Sequence, residues 1–377
     1  MSWEYKQLGD IIEIKKGAYI TKKESNEGPY PVILGGQEPA YYIDRFNHTG
    51  KAIVISRSGA SAGYVSFWNE PIFVTDGFLI EPKKSVDINF LYYLIKSHQA
   101  ELQGKQGGAA IPHVTPRIIN AIQVMVPDLE IQERIVDILS AYDSLIENNQ
   151  KQIKLLEEAA QRLYKEWFVD LRFPGHENTP IIDGVPEGWR VDEVKSVVSL
   201  LSGYAFKSND FVDDGEYKIV TIKNVQDGNF DGENVNLIAE IPSKMPEHCI
   251  LKNGDILLSL TGNVGRVCLV NGDNYLLNQR VAKLYTKYSA YAYCLFRSKD
   301  MFDTMNNLAN GAAQQNLSPI RTENVRILIP NDSLIQKFEE IVSPMIAKML
   351  VLNQSNGQSK QARDRLLPKL MSGDLEV

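Results

Sequence analysis

One stretch limits the folds open to this chain. From Asp128 to Trp167 there is neither glycine nor proline. Such a run predicts a single helix of roughly ten turns, about 58 Å long. Apolar side chains recur at Ile131, Ile135, Ile138, Tyr142 and Leu145, then at Ile153, Leu156, Ala160, Leu163 and Trp167. With Asn149 counted as a seam position, steps of four and three alternate and one step of four is repeated. That is a heptad seam with a stutter at Asn149. Glu133, Arg134, Asp137, Lys151, Lys154 and Glu158 occupy the opposite face. A narrow apolar stripe on so long a rod requires a partner helix.

The chain holds a candidate partner of its own. Leu334, Phe338, Val342, Met345, Met349 and Leu352 keep helical spacing after Asn331. Pro344 lies inside that run and predicts a kink or a break. The polar stretch Gln354 to Gln361, with Gly357 in it, predicts weak helix before RDRLLPKL (363–370) restores apolar spacing. The seam residues of both helices are expected to serve packing and partner docking together.

The second helix follows from a larger regularity. Trp189 and Gly203 stand 186 positions after Trp3 and Gly17. Ser259 and Gly262, in GDILLSLTG, stand 203 after Ser56 and Gly59, in KAIVISRSG. NGAAQQNLSP (310–319) follows GGAAIPHVTP (107–116) by 203, and Pro330 follows Pro127 by the same interval. Gln336 and Asn353 follow Gln132 and Asn149 by 204. The chain is an internal duplication whose second copy is 17 residues longer, the extra length lying between Gly203 and Ser259. Within the first copy, short β-rich runs at Pro31–Leu34, Lys51–Ser56, Tyr64–Phe67 and Ile72–Val74 predict strands. Phe90–Gln103 has helical spacing, and Ile122–Val126 reads as a last strand.

The expected fold is therefore α+β. Two mixed, loop-rich domains, 1–127 and 174–330, alternate with long helices over 128–173 and 331–377. The economical packing sets the helices antiparallel, with a pseudo-two-fold axis as in an isologous dimer fused into one chain. The linker PGHENTPIIDGVPEG (174–188) joins the halves.

Composition narrows the function more by exclusion than by signal. No apolar run approaches the ~20 residues of a membrane span, and MSWEYKQLGD lacks the pattern of a signal peptide, so a cytoplasmic protein is expected. Cys249, Cys268 and Cys294 form no CxxC pair, and His48, His98, His113, His176 and His248 are scattered, so no metal site is expected. There is no GxGxxG and no P-loop. There is also no Asn/Asp-Pro-Pro-aromatic tetrapeptide of the kind that holds a base for amino methylation. Ser61 in GASAG lacks the strand-turn-helix setting of a nucleophile elbow. Asp128 and Glu130 are explained by a helix start. No catalytic residue and no cofactor is assigned. The net charge of −7 argues against a chain that grips nucleic acid alone. Positive charge is local, at Lys15–Lys16, Lys22–Lys23, Lys83–Lys84, Arg321 and Arg326.

What remains is loop chemistry able to read base edges and phosphates. The first copy offers Tyr19, Lys22, Arg57, Ser58, Ser61, Lys105, Gln106, His113, Thr115 and Arg117. The second offers Tyr204, Lys207, Lys223, Asn224, Thr261, Asn263, Arg266, Asn278, Gln279, Arg280, Gln314, Gln315 and Asn316. Their gathering at matching places in both copies is the signal.

Several phrases resemble the specificity subunit of type I restriction–modification enzymes. They are GDILLSLTGNVGR (254–266), the paired GGAAIPHVT and NGAAQQNLS, VMVPDLEIQERIVDIL (124–139), ILIPNDSLIQKFEEIV (327–342) and the ending RLLPKLMSGDLEV. The resemblance spans the whole chain. It implies two target recognition domains on double-stranded DNA, each reading one half of a split, asymmetric sequence. It also implies spacer helices that dock two DNA adenine methyltransferase subunits, which carry S-adenosylmethionine, and a motor-nuclease subunit that joins for cleavage. A protein-interaction scaffold and a nuclease with a hidden metal site are the competing readings.

Overall fold

The computed structural model describes residues 3–34, 36, 38–104, 113–309 and 315–377. By its contacts the chain divides into two units, 1–145 with 359–377, and 146–358. The division crosses both long helices.

The first unit opens with β1 (Glu4–Gln7), α1 (Leu8–Ile11) and β2 (Ile12–Lys16). Six strands follow: β3 (Tyr30–Ile33), β4 (Tyr41–Ile43), β5 (Ala52–Ser56), β6 (Val65–Trp68), β7 (Phe73–Val74) and β8 (Gly77–Pro82). Then come α2 (Ile88–Ser97), α3 (Gln99–Gly104), α4 (Pro116–Asn120), β9 (Gln123–Val126) and the start of α5 (Leu129–Tyr164). The main sheet has the order β2-β8-β5-β6, a smaller one β4-β3-β7, and β1 pairs antiparallel with β9. Every residue of β5 is buried, because its alternate side chains enter different cores. Ile53 and Ile55 pack with Phe90, Leu94 and Ile95, whereas Ala52 and Val54 pack with Ile33, Ile72 and Leu79. The expected helix Phe90–Gln103 is two helices, parted at His98, where the backbone leaves helical geometry at φ −95°, ψ 8°.

The second unit takes in the rest of α5 and two short strands, β10 (Ile181–Ile182) and β11 (Val185–Pro186). Then follow β12 (Arg190–Glu193), β13 (Ser199–Ser202), β14 (Tyr217–Val220), β15 (Asn236–Ile238) and β16 (Ile250–Leu251). Next are β17 (Ile256–Ser259), β18 (Val267–Leu269), β19 (Tyr275–Leu277) and β20 (Val281–Tyr285). The unit closes with α6 (Ser289–Arg297), α7 (Lys299–Ala309), α8 (Pro319–Glu323), β21 (Arg326–Ile329) and most of α9 (Asp332–Ser372). Its sheets run β13-β20-β17-β18 and β15-β14-β19-β16, with β12 paired to β21. The order matches the first unit strand for strand, with β16 and the β10–β11 pair added.

Helix α5 buries a face slightly rotated from the expected seam. Ile131, Ile135, Asn149, Ala160 and Trp167 are buried as expected, but Leu139 and Ile146 are the deep positions where Ile138 and Leu145 were expected. Ile138, Tyr142, Ile153, Leu156 and Leu163 are half-buried, and Leu145 is 43% exposed. The reason is the 4-4 step from Ile131 through Ile135 to Leu139, the stripe of a straight helix lying on a globular core rather than of a supercoil. A charge placed at Leu145 would meet solvent; Ile146 is the costly position. Past Tyr164 the helix widens into a π-turn, Lys165–Val169, which turns Trp167 and Phe168 into an aromatic cluster with Tyr164, Phe338 and Tyr291.

Helix α9 is unbroken through Pro344 and Gly357, which corrects the expected interruption. Pro344 is exposed, so the hydrogen bond it cannot make is lost on the solvent side. Phe338, Val342, Met349 and Leu352 are buried on the other side, with Met345 half-buried. In the first unit Leu367, Leu370 and Met371 of α9 share a core with Ile131, Ile135 and Leu139 of α5. Asp143 on α5 accepts from Tyr93 of α2 and from Arg363 of α9. In the second unit Asn149 donates to Asn356 Oδ1 at 3.0 Å, both side chains being buried. The polar stretch of α9 is thus held through a polar partner. Asn356, not the sequence-matched Asn353, meets Asn149.

Candidate nucleic-acid interface

The matching phrases of the two copies build the same loop framework from backbone groups. In the first unit β5 and β8 pair up to Ser56 and Gly77. Beyond them Arg57 N–H donates to Asp76 O at 3.4 Å, Val114 N–H donates to Arg57 O at 2.9 Å, and Ser58 bridges to His113. In the second unit β17 and β20 pair up to Ser259 and Val281. There Leu260 N–H donates to Arg280 O at 3.0 Å, Leu317 N–H donates to Leu260 O at 2.7 Å, and Thr261 bridges to Asn316. Gly59 and Gly262 turn the chain at φ +80° and +71°, a conformation that side chains with a Cβ rarely adopt. Gly17 and Gly203 are matched for a second reason. A Cβ there would stand 2.4 Å from Thr75 O and 2.3 Å from Asn278 O.

The side chains on this common framework differ. In the first unit Asp76 forms an ion pair with Arg57, Nε to Oδ1 at 3.1 Å, and accepts from Ser58 Oγ. Arg57 and Ser58, both candidates, are therefore engaged with a carboxylate that the sequence reading had not singled out. His113 and Arg117 are exposed nearby, and Thr115 caps α4 by accepting from Ile118 N–H at 3.4 Å. Ser61 is half-buried in the turn, where its carbonyl accepts from Tyr64 N–H. Tyr19 is 86% exposed and Lys22 is exposed, both in the connection after β2.

In the second unit the structure brings five candidates together. Thr261, Gln279, Arg280, Gln315 and Asn316 line an open groove of about 640 Å³ with Ser202, Leu260, Leu317, Ser318 and Pro319. Gln279, Arg280, Gln315 and Asn316 are exposed. Asn278 is half-buried, its Oδ1 accepting from Arg280 N–H at 3.4 Å. Asn263 is exposed on the same turn as Gly262. Lys105, Gln106 and Gln314, and the loop centres 107–112 and 310–313, lie outside the described residues.

Other candidates hold structure. Asn224 is fully buried. Its amide donates to Asp231 O and Asn234 O and accepts from Thr221 N–H and Thr221 Oγ1. With every hydrogen-bonding position used inside its own loop, it cannot present that edge to a base, which corrects the expectation. Arg266 donates to Gln226 Oε1 and so also fastens that loop. Tyr204 packs on Phe206 at 5.1 Å between ring centroids. Lys207 and Lys223 are exposed.

The chain matches the family described as type I restriction modification DNA specificity domain twice, over residues 1–158 and 186–356. The chain belongs to this family. It is 27% identical to the Type I restriction enzyme MjaIX specificity subunit of Methanocaldococcus jannaschii, over 100% of this chain and 94% of that one. It is likewise 27% identical to the MjaVIII specificity subunit of the same organism, over 100% and 93%. Its fold is similar to that of the type I restriction–modification S subunit of M. genitalium, with a TM-score of 0.63 at 18% identity, covering 98% of this chain and 96% of that one.

Three residues beside these candidates carry little signal or a different one in the sequence. Asp76 has no motif around it, and only the strand pairing sets it against Arg57. Ser202 looks like an ordinary strand residue. Ser318 had a legible signal, since it stands before Pro319 as Thr115 stands before Pro116, a helix-cap signature in both copies. Among the described residues no group of three or more His, Cys, Asp or Glu side chains is placed to hold a metal, and no helix is long and apolar enough to cross a membrane. Burial pushes the Cys268 thiol up to about 12, so it carries no thiolate at neutral pH.

Proposed function

We propose that this chain is the non-catalytic specificity subunit of a type I restriction–modification complex. Each repeat reads one half of a bipartite, asymmetric double-stranded DNA target. The recognition domains are 1–127 and 174–330. The helical segments 128–173 and 331–377 form an antiparallel pair about a pseudo-two-fold axis, set the interval between half-sites, and dock two DNA adenine methyltransferase subunits. Methyl transfer and ATP-dependent cleavage belong to those subunits and to the motor-nuclease subunits. The observation that carries this reading is the recurrence of one loop framework in both family matches, filled with different side chains. Identical halves would read a symmetric sequence, whereas halves sharing only a framework suit two unrelated half-sites. The acidic balance of the chain agrees with a DNA clamp completed by partners.

The test is methylation mapping. The chain is co-expressed with its methyltransferase in a host lacking modification, and methylated adenines are read across the genome. A two-part motif with a fixed gap is expected, and exchange of residues 1–127 for those of another specificity subunit should change one half only. A stable complex that methylates no defined motif would overturn the proposal in favour of a scaffold.

A further inference from the structure

The two loop frameworks carry opposite charge at one equivalent place. The residue whose carbonyl accepts from the residue after β5 is Asp76, and the residue whose carbonyl accepts from the residue after β17 is Arg280. Asp76 stands in ion-pair contact with Arg57, whose Nε makes no hydrogen bond among the described residues, and accepts from Ser58. Arg280 is exposed, and its guanidinium has no hydrogen bond or ion pair among the described residues. Around it the groove is lined by Ser202, Thr261, Ser318, Gln279 and Asn316. The hydroxyl oxygen of Thr261 is buried and lacks a partner among the described residues, so the groove's reachable polar groups are those of its other lining residues.

A concave groove lined by hydroxyl and amide residues, with an exposed guanidinium that has no partner among the described residues, suits a convex anionic ridge. Base edges are recessed within the grooves of DNA and are met by protruding groups, whereas the sugar-phosphate strand stands outward and takes contacts from Arg, Ser, Thr, Asn and Gln. Resting on the DNA-binding role proposed above, we infer that the groove of the second unit seats a backbone phosphate of duplex DNA on Arg280, and that Asp76 closes the equivalent place in the first unit by occupying Arg57. The second domain supplies a non-specific electrostatic grip at a position where the first does not.

The complex with the methyltransferase is titrated with two duplexes, one carrying the mapped motif and one lacking it, between about 50 and about 200 mM salt. R280A should lower the slope of log affinity against log salt by about 0.9 on both duplexes, so that affinity falls roughly threefold less over that range. The methylated motif should stay the same. D76N, which frees Arg57, should raise the slope by about 0.9, and the R57A/D76N double variant should return it to the wild-type value. An R280A variant that alters the motif in one half is reading a base, and overturns the phosphate assignment. An unchanged slope in R280A overturns it too, and an unchanged slope in D76N overturns the closed site in the first unit. A wild-type complex that methylates no bipartite motif refutes the proposed function instead, an outcome separate from all of these.

Discussion

The loop cluster beyond β5 and its counterpart beyond β17 are held by the same backbone hydrogen bonds and carry opposite charges at one equivalent position. In the first unit the position after β5 is Arg57, tied to Asp76. In the second that position is Leu260, 4% exposed and packed into the core with Val264 and Leu317, and the place of Asp76 is taken by Arg280, whose guanidinium has no partner among the described residues. An ion pair in one unit has become a buried leucine and an exposed arginine in the other. The backbone tolerates this because N–H and C=O groups are common to nearly every residue, so bonds such as Val114 N–H to Arg57 O and Leu317 N–H to Leu260 O survive any exchange of side chains. Constancy lies in the main chain and in residues that face the cores.

The sharpest test of that division is to strike equivalent framework residues. Ile55 and Leu258 are fully buried at matching positions of β5 and β17. Ile55→Ala and Leu258→Ala should each cost about 2–5 kcal/mol, the usual range for emptying a packed aliphatic site, measured by denaturant unfolding followed with probes local to each unit. A cost below about 1 kcal/mol in one unit and not the other would break the equivalence of the two frameworks.

A smaller effect should mark where the units part company. Asn224 lies in the stretch by which the second copy is longer, and its amide both donates twice and accepts twice. Asn224→Ala should cost about 1–3 kcal/mol, because it removes four hydrogen bonds made by a buried amide and leaves two carbonyls and an N–H without these partners. Asn224→Asp should be no better, since a carboxylate cannot donate to Asp231 O and Asn234 O. If Asn224→Asp were as stable as the wild type in thermal melts, the loop would not depend on this hub.

Much of the fold was legible in the sequence for a physical reason. Alternation and helical periodicity report burial, so the runs of β5 and β6, the long α5 and the repeat offsets could be read directly from residue types. The exact face of α5 could not, because Ile138 and Leu139, like Leu145 and Ile146, are adjacent apolar residues and only the surface they meet decides which one is buried. Pro344 misled for the same reason. Its cost depends on whether the lost bond faces core or solvent, which no local pattern reveals. The candidate site was legible as a neighbourhood and poorly as individual roles. Thr261, Gln279, Arg280, Gln315 and Asn316 converge on one groove, while Arg57, Asn224 and Arg266 are held by Asp76, Thr221 with Asp231, and Gln226, partners distant enough in the chain or ordinary enough in type to leave no motif.

The smallest effect separates Arg57 from Arg280 as parts of the folded protein. The Arg57–Asp76 pair is about one-third exposed, its side chains at 31% and 27%, so solvent screens it and Arg57→Ala should cost about 0.5–1 kcal/mol. That loss should shrink as salt is raised from about 0.05 to about 1 M, since the Debye length falls from above ~10 Å to ~3 Å. Arg280→Ala removes no contact with a partner among the described residues and should change stability by less than about 0.5 kcal/mol at any salt concentration. Paired melts of the two variants across the salt range therefore read the comparison directly. A salt-dependent loss in Arg280→Ala would show that the second cluster also spends its cation on the fold. The two units would then differ in sequence without differing in what they leave free for a ligand.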